Sequence, residues 1–137
     1  MIIVDTSALV AFFRPVEPHH KAVSRLIDSN HDELVISPYV MAELDYLIAT
    51  RVSAAAAVAV LRELASGAYT LAALDAVDVR ACADVCARYA DQNIGVTDAS
   101  LVVLAHRYRT RSILTLDHRH FSVMRPVDGG RFKLLPS

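Results

Sequence analysis

Two short runs in this chain, Ile2-Ile3-Val4 and Leu34-Val35-Ile36, are apolar at every position, and Ile113-Leu114-Thr115-Leu116 is nearly so. A strand with one face in water alternates apolar and polar residues, so unbroken runs of this length mark strands buried on both faces. Such strands need helices above and below them, and the intervening segments supply helical patterns. Thr6 to Phe13 has helical character, and His19 to Ser29 places Ala22, Val23, Leu26 and Ile27 at helical spacing. Ser37-Pro38 reads as an N-cap and a first-turn proline for a helix from Pro38 to about Thr50. Ser53 caps an Ala-rich helix ended by Gly67, Val77 to Ala90 forms another, and Thr97 is the expected N-cap of a helix reaching about Tyr108. Tyr69 to Leu71 and Phe132 to Leu135 complete the strands, the second at an edge. Strands alternating with helices predict an α/β fold with parallel crossovers and a sheet covered on both faces. Ligands of such sheets bind beyond the carboxyl ends of the strands, which directs attention to the polar residues just after each run.

At 137 residues the chain is expected to form one domain, 1–137, with no internal repeat, low-complexity tract or linker. Hydrophobic residues at 54% and charged residues at 21%, with 4 Gly and 5 Pro, exclude disordered, collagen-like and disulfide-scaffold chains. The longest apolar runs fall well short of the roughly 18 residues that a membrane span requires. Met1 leads directly into Ile2-Ile3-Val4-Asp5 without a basic segment, so no secretory signal is expected and the location is predicted to be cytoplasmic. Cys82 and Cys86 share a helix face but lack further ligands at metal spacing, and a disulfide four residues apart on one helix is strained, so they read as small core residues.

The formal net charge is −1, but the charges are unevenly spread. Residues 1–98 hold 7 Lys and Arg against 13 Asp and Glu, whereas residues 99–137 hold 7 against 2. An acidic centre beside a phosphate-binding surface would produce such asymmetry, as would ordinary solvated faces. Asp5 follows the first strand and Asp117 the fourth, both at the expected functional edge. Asp98 stands at a helix start, where a carboxylate also favours the helix dipole. Glu43 falls on the apolar stripe Val40, Leu44, Leu47 and Ile48, with no basic residue three or four positions away, and is expected to avoid solvent. Asp45 falls on the other side as a surface charge. Carboxylates about 4 Å apart repel by roughly 4 kcal/mol at an effective dielectric near 20, which a divalent cation relieves. Oxygen donors suit Mg²⁺ or Mn²⁺; zinc is disfavoured, because the nearest histidines, His118 and His120, are expected in a loop.

Val4-Asp5-Thr6-Ser7, Ala42-Glu43-Leu44, Val96-Thr97-Asp98-Ala99 and Thr115-Leu116-Asp117-His118-Arg119-His120-Phe121 resemble the four signature segments of PIN-domain ribonucleases, in the same order and over essentially the whole chain. In size and in its Asp-Thr-Ser start the chain is most similar to the VapC-type toxins of toxin–antitoxin pairs. The resemblance implies a three-layer α/β/α sandwich with a short, mostly parallel sheet. It also implies a Mg²⁺-dependent endoribonuclease, with Mn²⁺ able to substitute, that is neutralised by a cognate antitoxin and forms a homodimer. By position it assigns catalysis and metal binding to Asp5, Glu43, Asp98 and Asp117, and supporting hydrogen bonds to Thr6, Ser7 and Thr115. The basic section then suggests Arg107, Arg109, Arg111 and Arg119 as RNA phosphate contacts beside the acidic edge.

The residue types agree with hydrolysis of a phosphodiester by metal-activated water, which needs no side-chain nucleophile. Gly67, Gly95, Gly129 and Gly130 match neither a P-loop nor a dinucleotide fingerprint. Two rivals remain open. Asp5 could be the nucleophile of a phosphatase, although Ser7 stands where such enzymes usually place a second acid. The chain could also be a non-catalytic domain whose acids bind a metal or a protein.

Overall fold

The computed structural model describes residues 1–137. Its five strands are β1 (Ile2–Val4), β2 (Leu34–Ile36), β3 (Thr70–Leu71), β4 (Ser112–Leu114) and β5 (Lys133–Leu135), all parallel, in the order β3-β2-β1-β4-β5. The helices are α1 (Thr6–Phe13), α2 (His20–Ser29), α3 (Pro38–Arg51), α4 (Ala54–Leu64), α5 (Ala76–Arg88), α6 (Val96–Arg107) and α7 (His118–Val123), with a short 3₁₀ turn at Ala90–Gln92. The apolar runs do occupy the middle of the sheet. Ile3 of β1 lies between Val35 and Ile113, and Ile3, Val4, Val35, Ile36, Ile113 and Leu114 are all without solvent exposure.

The strand order sets the position of the site. The chain moves outward from β1 through β2 to β3, then returns across the sheet to β4 and β5. The segments leaving β1 and β4 therefore diverge, and the crevice between their carboxyl ends is where parallel sheets bind ligands. Ser37 caps α3 and Ser53 caps α4 through their hydroxyls, as the sequence implied. Cys82 is buried, Cys86 is half-buried, and both are free thiols. No helix is long and apolar enough to cross a membrane.

Three local expectations require correction. The N-cap of α6 is Gly95, in extended conformation, and not Thr97; Gly95 carbonyl accepts from Ala99 N at 3.0 Å, which places Asp98 third in the helix. β4 ends at Leu114 and not at Leu116, because Leu116 N–H turns away from the ladder and donates to Ser7 Oγ at 2.9 Å. The histidines after Asp117 lie in α7 and not in a loop, because Asp117 Oδ1 accepts from His120 N at 3.3 Å and caps the helix.

Candidate active site

Asp5 is the fixed point of the crevice. It caps α1, with Oδ1 accepting from Thr6 N at 2.8 Å, while Oδ2 accepts from Thr115 Oγ1 at 2.7 Å and Ser7 Oγ at 3.1 Å. Each hydroxyl has one proton, and both are given to Asp5. Their lone pairs then accept Leu116 N–H, on Ser7, and Asp117 N–H at 2.9 Å, on Thr115. One buried carboxylate thus anchors α1 and the segment after β4 together. Burial pushes the Asp5 carboxyl above its ordinary range, against the lowering by Thr115, Thr6 and Ser7, and Asp117 raises it further. Ser7 and Thr115 support Asp5 through their side chains. Thr6 does so only through its backbone, and its Oγ1 is buried without a partner.

Asp98 enters the same crevice from the first turn of α6, its side chain 19% exposed. Its carboxyl is pushed up to about 6, first by burial and then by the charge of Asp5, with Asp117 and Glu43 adding to the rise and His120 opposing it. Four acids from four segments therefore share one electrostatic neighbourhood. Glu43 reaches it differently from the sequence expectation: the buried stripe of α3 is Val40, Leu44 and Ile48, and Glu43 is exposed. It stands beside the stripe, at the rim of a groove of about 310 Å³ that Thr6, Ser7, Leu116, Glu17 and Arg51 also line. Asp45 does not line this groove.

Sequence reasoning undervalued His120. Its Nδ1 lies 3.0 Å from Asp98 Oδ2 and 3.2 Å from Asp117 Oδ2, yet it is buried without an in-line hydrogen bond to either. The capped turn of α7 places it there, three residues after Asp117, so the helix signal of Asp117 as N-cap was the clue. No three His, Cys, Asp or Glu side chains form a finished metal cage. The donor chemistry nevertheless fits a divalent cation, since clustered carboxylates raise the protonation range of Asp98 and leave negative charge that a cation would neutralise.

The arginines divide. Arg119 lies exposed on α7, between His118 and His120 and two residues after Asp117. Arg107, Arg109 and Arg111 are not beside the acids. In a parallel sheet a crossover helix runs back from the carboxyl to the amino edge, and α6 carries the chain about 14 Å from Asp98 to Arg107 at that far edge. Arg107 is also committed there: Nη2 pairs with Asp78 Oδ2 at 2.5 Å and Nη1 donates to Ala73 carbonyl at 2.8 Å.

Comparison with known proteins agrees with the fold. The PIN domain family model matches residues 2–125, and the chain belongs to that family. Within it, the chain is 59% identical over 135 residues to Ribonuclease VapC26 of Mycobacterium tuberculosis (strain ATCC 25618 / H37Rv), covering 98% of this chain and 100% of that protein, and so is a VapC-type member. Among solved structures, the fold is similar to Mycobacterium tuberculosis VapC20, described as a sarcin–ricin loop cleaving toxin. The TM-score is 0.81 at 21% identity, with 87% of this chain and 92% of that chain covered. DNA-bound VapBC from Salmonella typhimurium is similar with a TM-score of 0.69 at 19% identity, covering 97% and 96%.

Proposed function

We propose that the chain is a metal-dependent endoribonuclease acting as the toxin of a toxin–antitoxin pair. The observation that carries this reading is that Asp5, Asp117 and the rim residue Glu43 all act electrostatically on Asp98 at the crevice between β1 and β4. These four residues would hold the cation, Mg²⁺ by the preference of carboxylate oxygens, with Mn²⁺ as a substitute. When bound, such an ion supplies Lewis-acid stabilisation at the scissile phosphate and makes water a competent nucleophile near neutral pH. The protein's own contribution is positioning. Ser7 and Thr115 hold Asp5 in one rotamer, Asp117 is held through its backbone N–H on Thr115, and His120 sits between the Asp98 and Asp117 carboxylates. Arg119, on α7 two residues after Asp117, would be the arginine to meet RNA phosphate near the acids.

The 59%-identical relative is named a ribonuclease, and a similar structure is described as a toxin that cuts the sarcin–ricin loop, which supports a folded RNA as substrate. The VapBC complex among the similar structures supports a small protein partner. A hollow of about 520 Å³ lined by Phe12, Phe13, Ile48, Val52 and Val60 offers such a partner an apolar foothold, and a homodimer is a further proposal. The test is incubation of labelled folded RNA with the protein and Mg²⁺, with and without excess EDTA, beside Asp98→Asn. Cleavage by the parent that EDTA and Asp98→Asn both abolish is the expected result. RNA left intact by the Mg²⁺-supplied parent would leave the chain a binding domain.

A further inference from the structure

We infer that the chain carries a second phosphate-binding surface, at the sheet edge opposite the acids, where His106, Arg109 and Arg111 hold the backbone of a long folded RNA whose scissile bond lies in the crevice. The inference rests on the ribonuclease reading and adds to it a remote contact. It begins from a displacement. Three arginines that linear sequence places between Asp98 and Asp117 emerge at the far end of α6, about 14 Å or more along the helix axis from Asp98, so they cannot serve the phosphate being cut.

There they line a cleft of about 540 Å³ with His106, Thr110 and Asp128. Arg107 forms a wall, held by Asp78 and Ala73 carbonyl. Arg109 and His106 have no acidic partner within salt-bridge distance. Arg111 meets Asp128 at 3.3 Å, but the two side chains are 46% and 67% exposed, and such a pair exchanges readily for a phosphate. Strand pairing brings more charge to the same edge. Ser112 is in register with Lys133, Lys133 N donates to Arg111 carbonyl at 2.8 Å, and Lys133 and Arg131 are exposed.

The backbone supplies a second observation. α6 closes with Arg109 N donating to His106 carbonyl at 3.2 Å and Thr110 N to Ala105 carbonyl at 3.0 Å, with Arg109 at φ 53°. That is a Schellman cap, whose left-handed position favours glycine. The Arg109 side chain does nothing to form this cap, and the backbone would adopt it with less strain without a Cβ. Arg109 is instead part of the cleft lining. The competing explanation is that these cations stabilise the carbonyl end of the helix, which predicts that removing their charge lowers stability.

The double variant Arg109→Gly, Arg111→Gln separates the two. The probes are a hairpin RNA of about 30 nucleotides that the parent cleaves and the shortest fragment of it that the parent still cleaves. Cleavage of the hairpin by the parent tests the ribonuclease reading by itself. Given that cleavage, the double variant should bind the hairpin about tenfold more weakly, by anisotropy in EDTA, with the slope of log affinity against log salt reduced by about 1 to 2. The parent's preference in kcat/KM for hairpin over fragment should shrink by a similar factor, and Tm should not fall. Unchanged affinity and salt slope would overturn the inference, as would an equal loss on hairpin and fragment. A lowered Tm that accounts for the weaker binding would assign the cations to the helix end. Retained RNA binding with loss of a co-purifying small protein would make the cleft a protein site and end the RNA proposal.

Discussion

Asp98 is the residue at which function and stability oppose each other most directly. Its carboxyl titrates near 6 in the fold and near 3.8 when unperturbed, so between those values the native state binds more protons than the unfolded chain. Stability from this group therefore falls as pH rises from about 4 to 6 and is lowest above 6. Metal-free protein should show this as a Tm contribution that improves on acidification from pH 7 to 5, and Asp98→Asn should flatten it. At pH 7 the same variant should raise the metal-free Tm by roughly 3 °C, on the scale of about 1 kcal/mol for a chain of this size. It should also lose cleavage and most of the Tm gain that Mg²⁺ confers on the parent, because a ligand stabilises only the state that binds it. A residue serving merely as a helix-start charge would give a small loss of Tm and undiminished cleavage. Thr115 makes a separate prediction. Thr115→Val removes the donor to Asp5 and the acceptor for Asp117 N–H while keeping the shape, leaving buried polar groups unpaired at a cost of about 1–3 kcal/mol. Denaturant melts should register that cost, cleavage should fall, and Thr115→Ser should restore most of both.

Between elements, one buried relay of hydroxyls joins the start of α3 to the start of α6. Ser100 Oγ donates to Thr97 carbonyl at 2.6 Å, which leaves Ser37 Oγ as the donor in the 2.8 Å contact between the two serines, and Ser37 in turn accepts from Tyr39 N at 3.2 Å. Both serines are without solvent exposure. The relay ends one residue before Asp98, on the helix turn that aims it. Ser100→Ala should thus strand the Ser37 hydroxyl, cost on the order of 1–3 kcal/mol by denaturant titration, and reduce cleavage more than Arg107→Ala does. Arg107→Ala breaks a surface pair with Asp78, a weak contributor to stability, at the edge of the molecule remote from the acids. A cleavage defect in Arg107→Ala larger than in Ser100→Ala would reverse this assignment of roles.

At the scale of the whole molecule the parallel sheet separates charge: carboxylates gather at one edge, and His106, Arg109, Arg111, Arg131 and Lys133 lie at the other. A partner that silences the proposed nuclease must cover the acidic edge, and an Arg side chain is suited to do so by a forked pair with the clustered carboxylates. Co-expression with the neighbouring reading frame should yield a complex with a small protein, and expression of this chain alone should arrest growth. Harmless expression together with purification of the chain by itself would count against the toxin role.

The sequence by itself determined the strands and the Ser37 and Ser53 helix caps, and it singled out the candidate acids, because those depend on local chemistry: an unbroken apolar run, a serine before a proline, an aspartate directly after a strand. The family resemblance also pointed to Ser7 and Thr115, whose hydroxyls meet Asp5. It misplaced Glu43, because three-and-four spacing tells which residues border a stripe but not where the neighbouring helix stops covering it. It undervalued His120, since a six-residue helix capped by one aspartate leaves almost no periodicity to read. Most of all, it put Arg107, Arg109 and Arg111 beside the acids. Only the strand order and the return direction of α6 decide that these residues, a few positions from Asp117 in sequence, lie at the opposite edge of the sheet. Side chains are chosen by their neighbours in sequence, but which edge they share is set by a helix that must cross the sheet before the next parallel strand can begin.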